Sequence, residues 1–166
     1  HEAGDSRVEE DQFAAAKQMI DLAANHHVEL HLPTDLICST EFLENAGDIE
    51  VFEDHIKAGY MGLDIGPKTQ LHYGKVIREA KTVVWNGPMG VFEWRPFRVG
   101  TKMIADAMVE ATEAGAVTIV GGGDSAAAAE EFGAADKLSH VSTGGGASLA
   151  MLEGKAFAAV DALDDA

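Results

Sequence analysis

Three glycine-rich turns hold the residues best suited to chemistry. They are Asn86–Gly90, Gly121–Gly123 followed by Asp124 and Ser125, and Gly144–Gly146 followed two residues later by Ser148. Glycine lets a backbone come close to a ligand and adopt positive φ. A helix that starts just after such a turn offers unpaired N–H groups and a partial positive charge, which together suit an anion such as phosphate. Asp124 repels phosphate, but it suits Mg²⁺, which commonly combines one or two carboxylates with phosphate oxygens. Ser125 adds a hydroxyl. Glu93 has the chemistry to accept hydrogen bonds from ribose hydroxyls. Each feature also has an ordinary structural reading: a tight strand-to-helix turn with Asp124 or Ser125 as N-cap, a glycine turn for close packing, and a solvated surface acid.

Other constellations are weaker. Gly121, Gly123 and Ala126 match the loose G-x-G-x-x-A dinucleotide pattern, which calls for an acidic residue at the end of the next strand; Val141–Ser142 offers none. Gly66-Pro67-Lys68-Thr69 resembles the end of a P-loop, but a proline separates glycine from lysine. His27, Glu29 and His31 could share one strand face, yet no fourth metal ligand is near and an exposed polar face explains them. Cys38, the only cysteine, reads as a small buried side chain and excludes an intrachain disulfide.

The elements that must position these turns follow from the pattern. Val8–His26 reads as a helix, with Phe13, Ala16, Met19 (or Ile20) and Ala23 at helical spacing. His27–Leu32 alternates, with Val28, Leu30 and Leu32 on one side, and reads as a strand ended by Pro33. Thr34–Tyr60 is less regular, with Ile49–Phe52 as a short strand, and Met61–Ile65 is apolar up to Gly66. Thr69–Ala80, Phe97–Ala114 and Asp124–Phe132 read as helices, and a further helix runs through Glu153. Thr82–Trp85, Ala116–Val120 and Leu138–Val141 read as strands. Strand, glycine turn and helix in succession imply an α/β fold with a parallel sheet, whose ligands sit beyond the carboxyl ends of the strands.

The 166 residues suffice for one domain with a core. No apolar run is long enough to span a bilayer, no signal peptide is evident, and no membrane partner is expected. The formal net charge of −16 argues against nucleic acid as a partner. It also requires any phosphate site to be local. A first residue of His1 instead of Met reads as a chain that begins inside a longer gene product or after processing.

Four segments, MGLDIGPKT (Met61–Thr69), WNGPMGVFE (Trp85–Glu93), GGGDS (Gly121–Ser125) and STGGGAS (Ser142–Ser148), resemble in order and spacing the nucleotide-binding lobe of phosphoglycerate kinases. The resemblance runs from Gly4 to the end. It implies a three-layer Rossmann-like parallel sheet with helices on both faces, here incomplete, and residues 1–166 as one partial nucleotide-binding lobe of a two-lobe kinase. It implies a cytoplasmic, monomeric enzyme of glycolysis that moves a phosphoryl group between 1,3-bisphosphoglycerate and ADP, with ATP/ADP and Mg²⁺ bound. It further implies that Asn86, Gly87, Pro88, Gly122, Gly123, Asp124 and Ser125 line the nucleotide, that Glu93 contacts the ribose, and that Asp124 meets the metal. Gly122, Gly145 and Gly146 would face the transferring group. The lobe that binds 3-phosphoglycerate, and the first two strands of a sheet ordered 3-2-1-4-5-6, would lie outside this chain. The fragment is then expected to be inactive alone and to rearrange or self-associate through exposed sheet edges. A nicotinamide-dependent oxidoreductase and a non-catalytic nucleotide-binding or interaction module from a truncated gene are the other readings.

Overall fold

The computed structural model describes residues 3–45 and 47–155; for Ala147, Ser148 and Met151 it describes the backbone course alone. The described residues form two compact units, one within 3–73 together with Gly90–Gly100, the other Gly74–Met89 together with 101–155. Two helices contribute residues to both units: α2 (Pro67–Glu79) and α3 (Val99–Glu113).

The first unit begins with a 3-10 turn at Glu10–Gln12 and helix α1 (Phe13–Asn25), followed by β1 (Leu36–Ser39), β2 (Ile49–Phe52) and β3 (Met61–Ile65). These strands form an antiparallel sheet in the order β2-β1-β3, with Leu36 opposite both Phe52 and Ile65. Cys38, Phe52 and Ile56 form its buried centre, with Leu36 and Tyr60 packed against it. Cys38 is buried as expected, and burial pushes its thiol up to about 11.

Two buried aspartates hold the rest of this unit. Asp35 caps α2 from outside the helix, accepting the Lys68 N–H (2.9 Å), the Thr69 N–H (2.8 Å) and the Thr69 hydroxyl (2.6 Å). Pro67, which has no N–H to satisfy, occupies the first position of that helix. Asp64 accepts the Ile65 N–H and the Gly100 N–H, each at 2.8 Å, and so fixes the first turn of α3.

One expected strand is not there. His27–Leu32 carries no strand; a strand exists only through a ladder partner, and among the described residues this segment has none. His27 instead closes α1 at φ +55°, while the Val28 N–H donates back to Ala23 O (2.9 Å) and the His27 N–H to Ala24 O (3.2 Å). His31 meets His72 (Nδ1 to Nε2, 3.0 Å), whereas His27, Val28, Glu29, Leu30 and Leu32 are all exposed. Leu36–Ser39, within the stretch read as irregular, is a strand.

The second unit is built on the parallel sheet β4 (Thr82–Trp85), β5 (Val117–Gly121) and β6 (His140–Ser142), in that spatial order, with Val84 beside Ile119 and Gly121 beside Ser142. Helices α4 (Gly123–Glu131) and α5 (Gly145–Leu152) follow β5 and β6 directly. The expected boundaries of these elements are met within two residues. Val120, Met108, Ala105, Ala107, Ala128 and Ala129 are fully buried. The alanines of α4 allow helix and sheet to approach closely. A part-buried polar network joins the starts of β5 and β6 to α3: the Thr118 N–H donates to Ser139 Oγ (3.0 Å), the Ser139 N–H to Thr118 Oγ1 (3.2 Å), and the Thr112 and Thr118 hydroxyls pair at 2.6 Å. The fold is mixed α/β with a small, incomplete parallel sheet.

Candidate functional site

The carboxyl ends of β4, β5 and β6 bring the three glycine turns together. β5 ends at Gly121, and α4 opens at Gly123. Between them Gly122 sits at φ +113°, a conformation that side-chain-bearing residues rarely adopt. The Gly122 N–H donates to Ser142 O (3.0 Å), so the turn after β5 is pinned to the end of β6. A Cβ on Gly145 would stand 2.8 Å from Gly122 Cα, so the first residue of α5 and the residue before α4 touch backbone to backbone.

The turn after β4 is fastened to the same place by several hydrogen bonds. Asn86 Nδ2 donates to Gly121 O (2.6 Å), and the Gly87 N–H donates to Ser125 Oγ (2.6 Å). Trp85 Nε1 donates to Gly87 O (2.7 Å), and the Met89 N–H donates to Thr101 Oγ1 (3.0 Å). Ser125 is buried, so its hydroxyl works inside the protein by holding Gly87. Pro88 is half-buried between these anchored neighbours. Asn86 also approaches both glycines, its Nδ2 lying 3.3 Å from a Cβ placed on Gly122 and 3.7 Å from one placed on Gly145.

This leaves two adjacent helix starts open at the surface. No side chain caps α4. A Cβ added to Gly123 or Gly146 would meet no atom within 4 Å. Backbone N–H groups at such starts suit an anion, and each helix dipole adds ~0.3–1 kcal/mol when exposed. Asp124, in the first turn of α4, is exposed. No group of three or more His, Cys, Asp or Glu side chains forms a metal cage among the described residues. The Asp124 carboxylate is of the type that can ligate Mg²⁺ beside phosphate oxygens and water.

Of the residues picked out by sequence, Asn86, Gly87, Pro88, Gly122, Gly123, Asp124, Ser125, Gly145 and Gly146 all belong to the second unit and its sheet end. Glu93 belongs to the first unit, exposed in a turn where the Trp94 N–H donates to Val91 O (3.0 Å). The side chain of Ser148 lies outside the described part of the structure. Sequence reasoning gave no role to Trp85, Thr101 or Ser142. Trp85 and Ser142 stood at the ends of recognisable segments, whereas nothing local marks Thr101. His27, Glu29 and His31 form no metal cage among the described residues: His31 Nδ1 lies 3.0 Å from His72 Nε2, and His31 Nε2 lies 3.5 Å from Glu29.

No helix among the described residues is long and apolar enough to cross a membrane. A family model for phosphoglycerate kinase matches residues 1–155. Curated phosphoglycerate kinases of Chloroflexus aurantiacus and Clostridium tetani are 54% and 52% identical over 163 and 162 residues; each alignment covers 98% of this chain. The chain spans only 41% and 40% of those relatives' lengths. Among solved structures, phosphoglycerate kinase from Coxiella burnetii matches with a TM-score of 0.87 at 41% identity, over 93% of this chain and 40% of that one. The enzyme from Pyrococcus horikoshii matches with a TM-score of 0.72 at 26% identity, over 98% and 40%. With its glycine turns, strand order and near-complete family match, this chain belongs to the phosphoglycerate kinase family.

Proposed function

We propose that the chain is part of the nucleotide-binding lobe of a phosphoglycerate kinase and supplies its MgADP/MgATP site. The reaction is ATP + 3-phosphoglycerate = ADP + 1,3-bisphosphoglycerate, in glycolysis and in the cytoplasm. The observation that carries the reading is the contact of two helix starts at Gly122 and Gly145, flanked by open surface at Gly123 and Gly146.

In this reading the N–H groups of Gly123 and Ser125 hold the nucleotide phosphates, Gly122 lets the phosphates approach the turn while its own N–H stays on Ser142 O, and the start of α5 at Gly145 and Gly146 faces the group in transit. Phosphoryl transfer needs positioning and stabilisation of charge on the equatorial oxygens more than covalent help. Backbone donors fixed by packing supply that without reorganising during the reaction. Asn86, Gly87 and Pro88 form the wall beside the phosphates, and Ser125 keeps that wall in place from beneath. Asp124 binds the Mg²⁺, which neutralises phosphate charge when bound. The resemblance assigns the ribose hydroxyls to the Glu93 carboxylate. A net charge of −16 would repel a free nucleotide, so the chelated form is the species bound.

The acid substrate binds through the part of the relatives that this chain does not span, so the isolated chain turns over no 3-phosphoglycerate. Hydrogen exchange with and without MgADP tests the reading. Slower exchange confined to Asn86–Gly90, Gly121–Ser125 and Gly144–Gly146 supports it; protection elsewhere, or none, contradicts it.

A further inference from the structure

The segment Gly90–Gly100 belongs to the first unit, and its two ends meet at one buried carboxylate. Asp64, in β3, is only 2% exposed. It accepts the Gly100 N–H on Oδ2 and the Ile65 N–H on Oδ1, each at 2.8 Å. A Cβ on Gly100 would stand 2.1 Å from Asp64 Oδ1. A Cβ on Gly90 would stand 2.5 Å from the same oxygen and 2.6 Å from Leu63 O. Glycine at both ends thus lets the backbone lie directly on the carboxylate. The Val91 N–H donates to Leu63 O (3.0 Å) and fastens the first end to β3 a second time.

Between these ends the chain turns tightly. The Phe92 N–H donates to Gly90 O (2.9 Å), the Trp94 N–H to Val91 O (3.0 Å) and the Phe97 N–H to Trp94 O (3.0 Å). Phe92 and Phe97 are buried, and the rings of Trp94 and Phe42 lie 4.7 Å apart between centroids. Glu93, between Phe92 and Trp94, is exposed. Where its carboxylate goes follows from where the loop backbone is held.

Burying a carboxylate opposes folding when it is charged. In return the Gly100 N–H has a charged acceptor, which holds it more firmly than a neutral one. We propose that Asp64 is a positioning residue for nucleotide recognition: by gripping both ends of Gly90–Gly100 it sets the Glu93 carboxylate on the ribose hydroxyls. The inference rests on the nucleotide site proposed above, with Glu93 as its ribose contact, and adds the residue that makes this contact effective. Loss of the Asp64 charge then costs the ribose contact and spares the phosphate contacts, which belong to the turns after β5 and β6. Asp64→Asn keeps the size of the side chain but turns an NH₂ towards one of the two N–H donors, so one of these bonds is lost.

The test compares MgADP with its 2′,3′-dideoxy analogue, which lacks the ribose hydroxyls, by calorimetric titration of the chain. The unaltered chain should bind MgADP roughly tenfold or more tighter than the analogue, as expected for hydrogen bonds to a charged group. In Asp64→Asn that ratio should fall towards one through loss of MgADP affinity, while affinity for the analogue changes by about twofold at most. Glu93→Ala should lower the ratio likewise, and the double variant should lose little beyond either single one, as for two residues acting through one contact. Gly90→Ala presses on the same carboxylate from the loop side and should act as Asp64→Asn does; it carries the test if that variant does not fold. An unchanged ratio, equal loss of both ligands, or additive losses in the double variant overturns the proposal and leaves the nucleotide site standing. Failure of both the Asp64 and Gly90 variants to fold also overturns it, since Asp64 would then serve folding itself. A chain that binds neither ligand contradicts the nucleotide reading, and one that binds both equally contradicts the role of Glu93; the proposal falls with either.

Discussion

Gly122 and Gly145 meet so closely that a Cβ on Gly145 would lie 2.8 Å from Gly122 Cα and 3.3 Å from its nitrogen. The obstructing atoms are backbone, which cannot swing aside as a side chain can. The two helix starts, α4 and α5, are thus set beside each other by the absence of side chains.

Gly145→Ala should accordingly push α5 away from α4. Overpacking of this kind typically costs about 1–3 kcal/mol, and thermal or urea unfolding would read it. Gly146→Ala is the control: its added methyl meets nothing beyond its own helix within 4 Å, and, since alanine is the better helix former, its melting temperature should be no lower than that of the unaltered chain. Equal melting temperatures for both variants would mean that the contact does not constrain the turn.

Ser125→Ala removes the acceptor of the Gly87 N–H and leaves that donor without its partner. The expected loss is about 1–3 kcal/mol, the usual cost of an unsatisfied buried group. Faster exchange of the Gly87 amide should accompany it. A variant with lower stability but unchanged exchange at Gly87 would show that the hydroxyl acts elsewhere.

Stability should depend on pH through two buried aspartates with opposite signs. Burial drives the Asp64 carboxyl up to about 6, against the opposing bonds from the Gly100 and Ile65 N–H groups. The folded chain then binds that proton more tightly than the unfolded chain, so Asp64 favours folding more as pH falls from about 6 towards its ordinary 3.8. For Asp35, burial opposes the charge, but the bonds from Thr69 and from the Lys68 and Thr69 N–H groups, with the Lys68 ammonium nearby, hold its carboxyl below 3.8. Its contribution is present above 3.8 and is lost as pH falls further. Unfolding free energy measured from pH 7 to 3 should rise between 6 and 4 in the unaltered chain, and that rise should vanish in Asp64→Asn.

Asp35→Ala should also cost about 0.5–2 kcal/mol at neutral pH, the range for loss of a helix cap. It removes the acceptor for two N–H groups and one hydroxyl at the start of α2. Urea denaturation at pH 7 against pH 3 checks the assignment. The difference between the two proteins should shrink at the lower pH, where Asp35 has begun to lose its charge.

The sequence carried more about the second unit than the first, for a physical reason. Val117–Gly121, Gly122 and the alanine-rich α4 encode their structure locally: an apolar run, a residue free to take positive φ, then a helix former. The strand pattern of His27–Leu32 was equally plain, but pairing is a non-local property, and among the described residues nothing pairs with this segment. Leu36–Ser39 is the converse. Four residues give little alternation to see, and they form a strand because Ile49–Phe52 and Met61–Ile65 pair on both sides. At the site, the glycines were visible because their chemistry needs that residue type. Thr101 was not, since its role of accepting the Met89 N–H comes only from where α3 begins.

The central claim is that the sheet end between Asn86 and Gly146 binds a magnesium-chelated nucleotide. Calorimetric titration of the chain with MgADP, beside Asp124→Ala, tests it most directly. The account predicts saturable uptake with one nucleotide per chain, weakened by loss of the Asp124 carboxylate and by omission of Mg²⁺. Absence of saturable heat at millimolar nucleotide, or identical uptake by the variant, would contradict it.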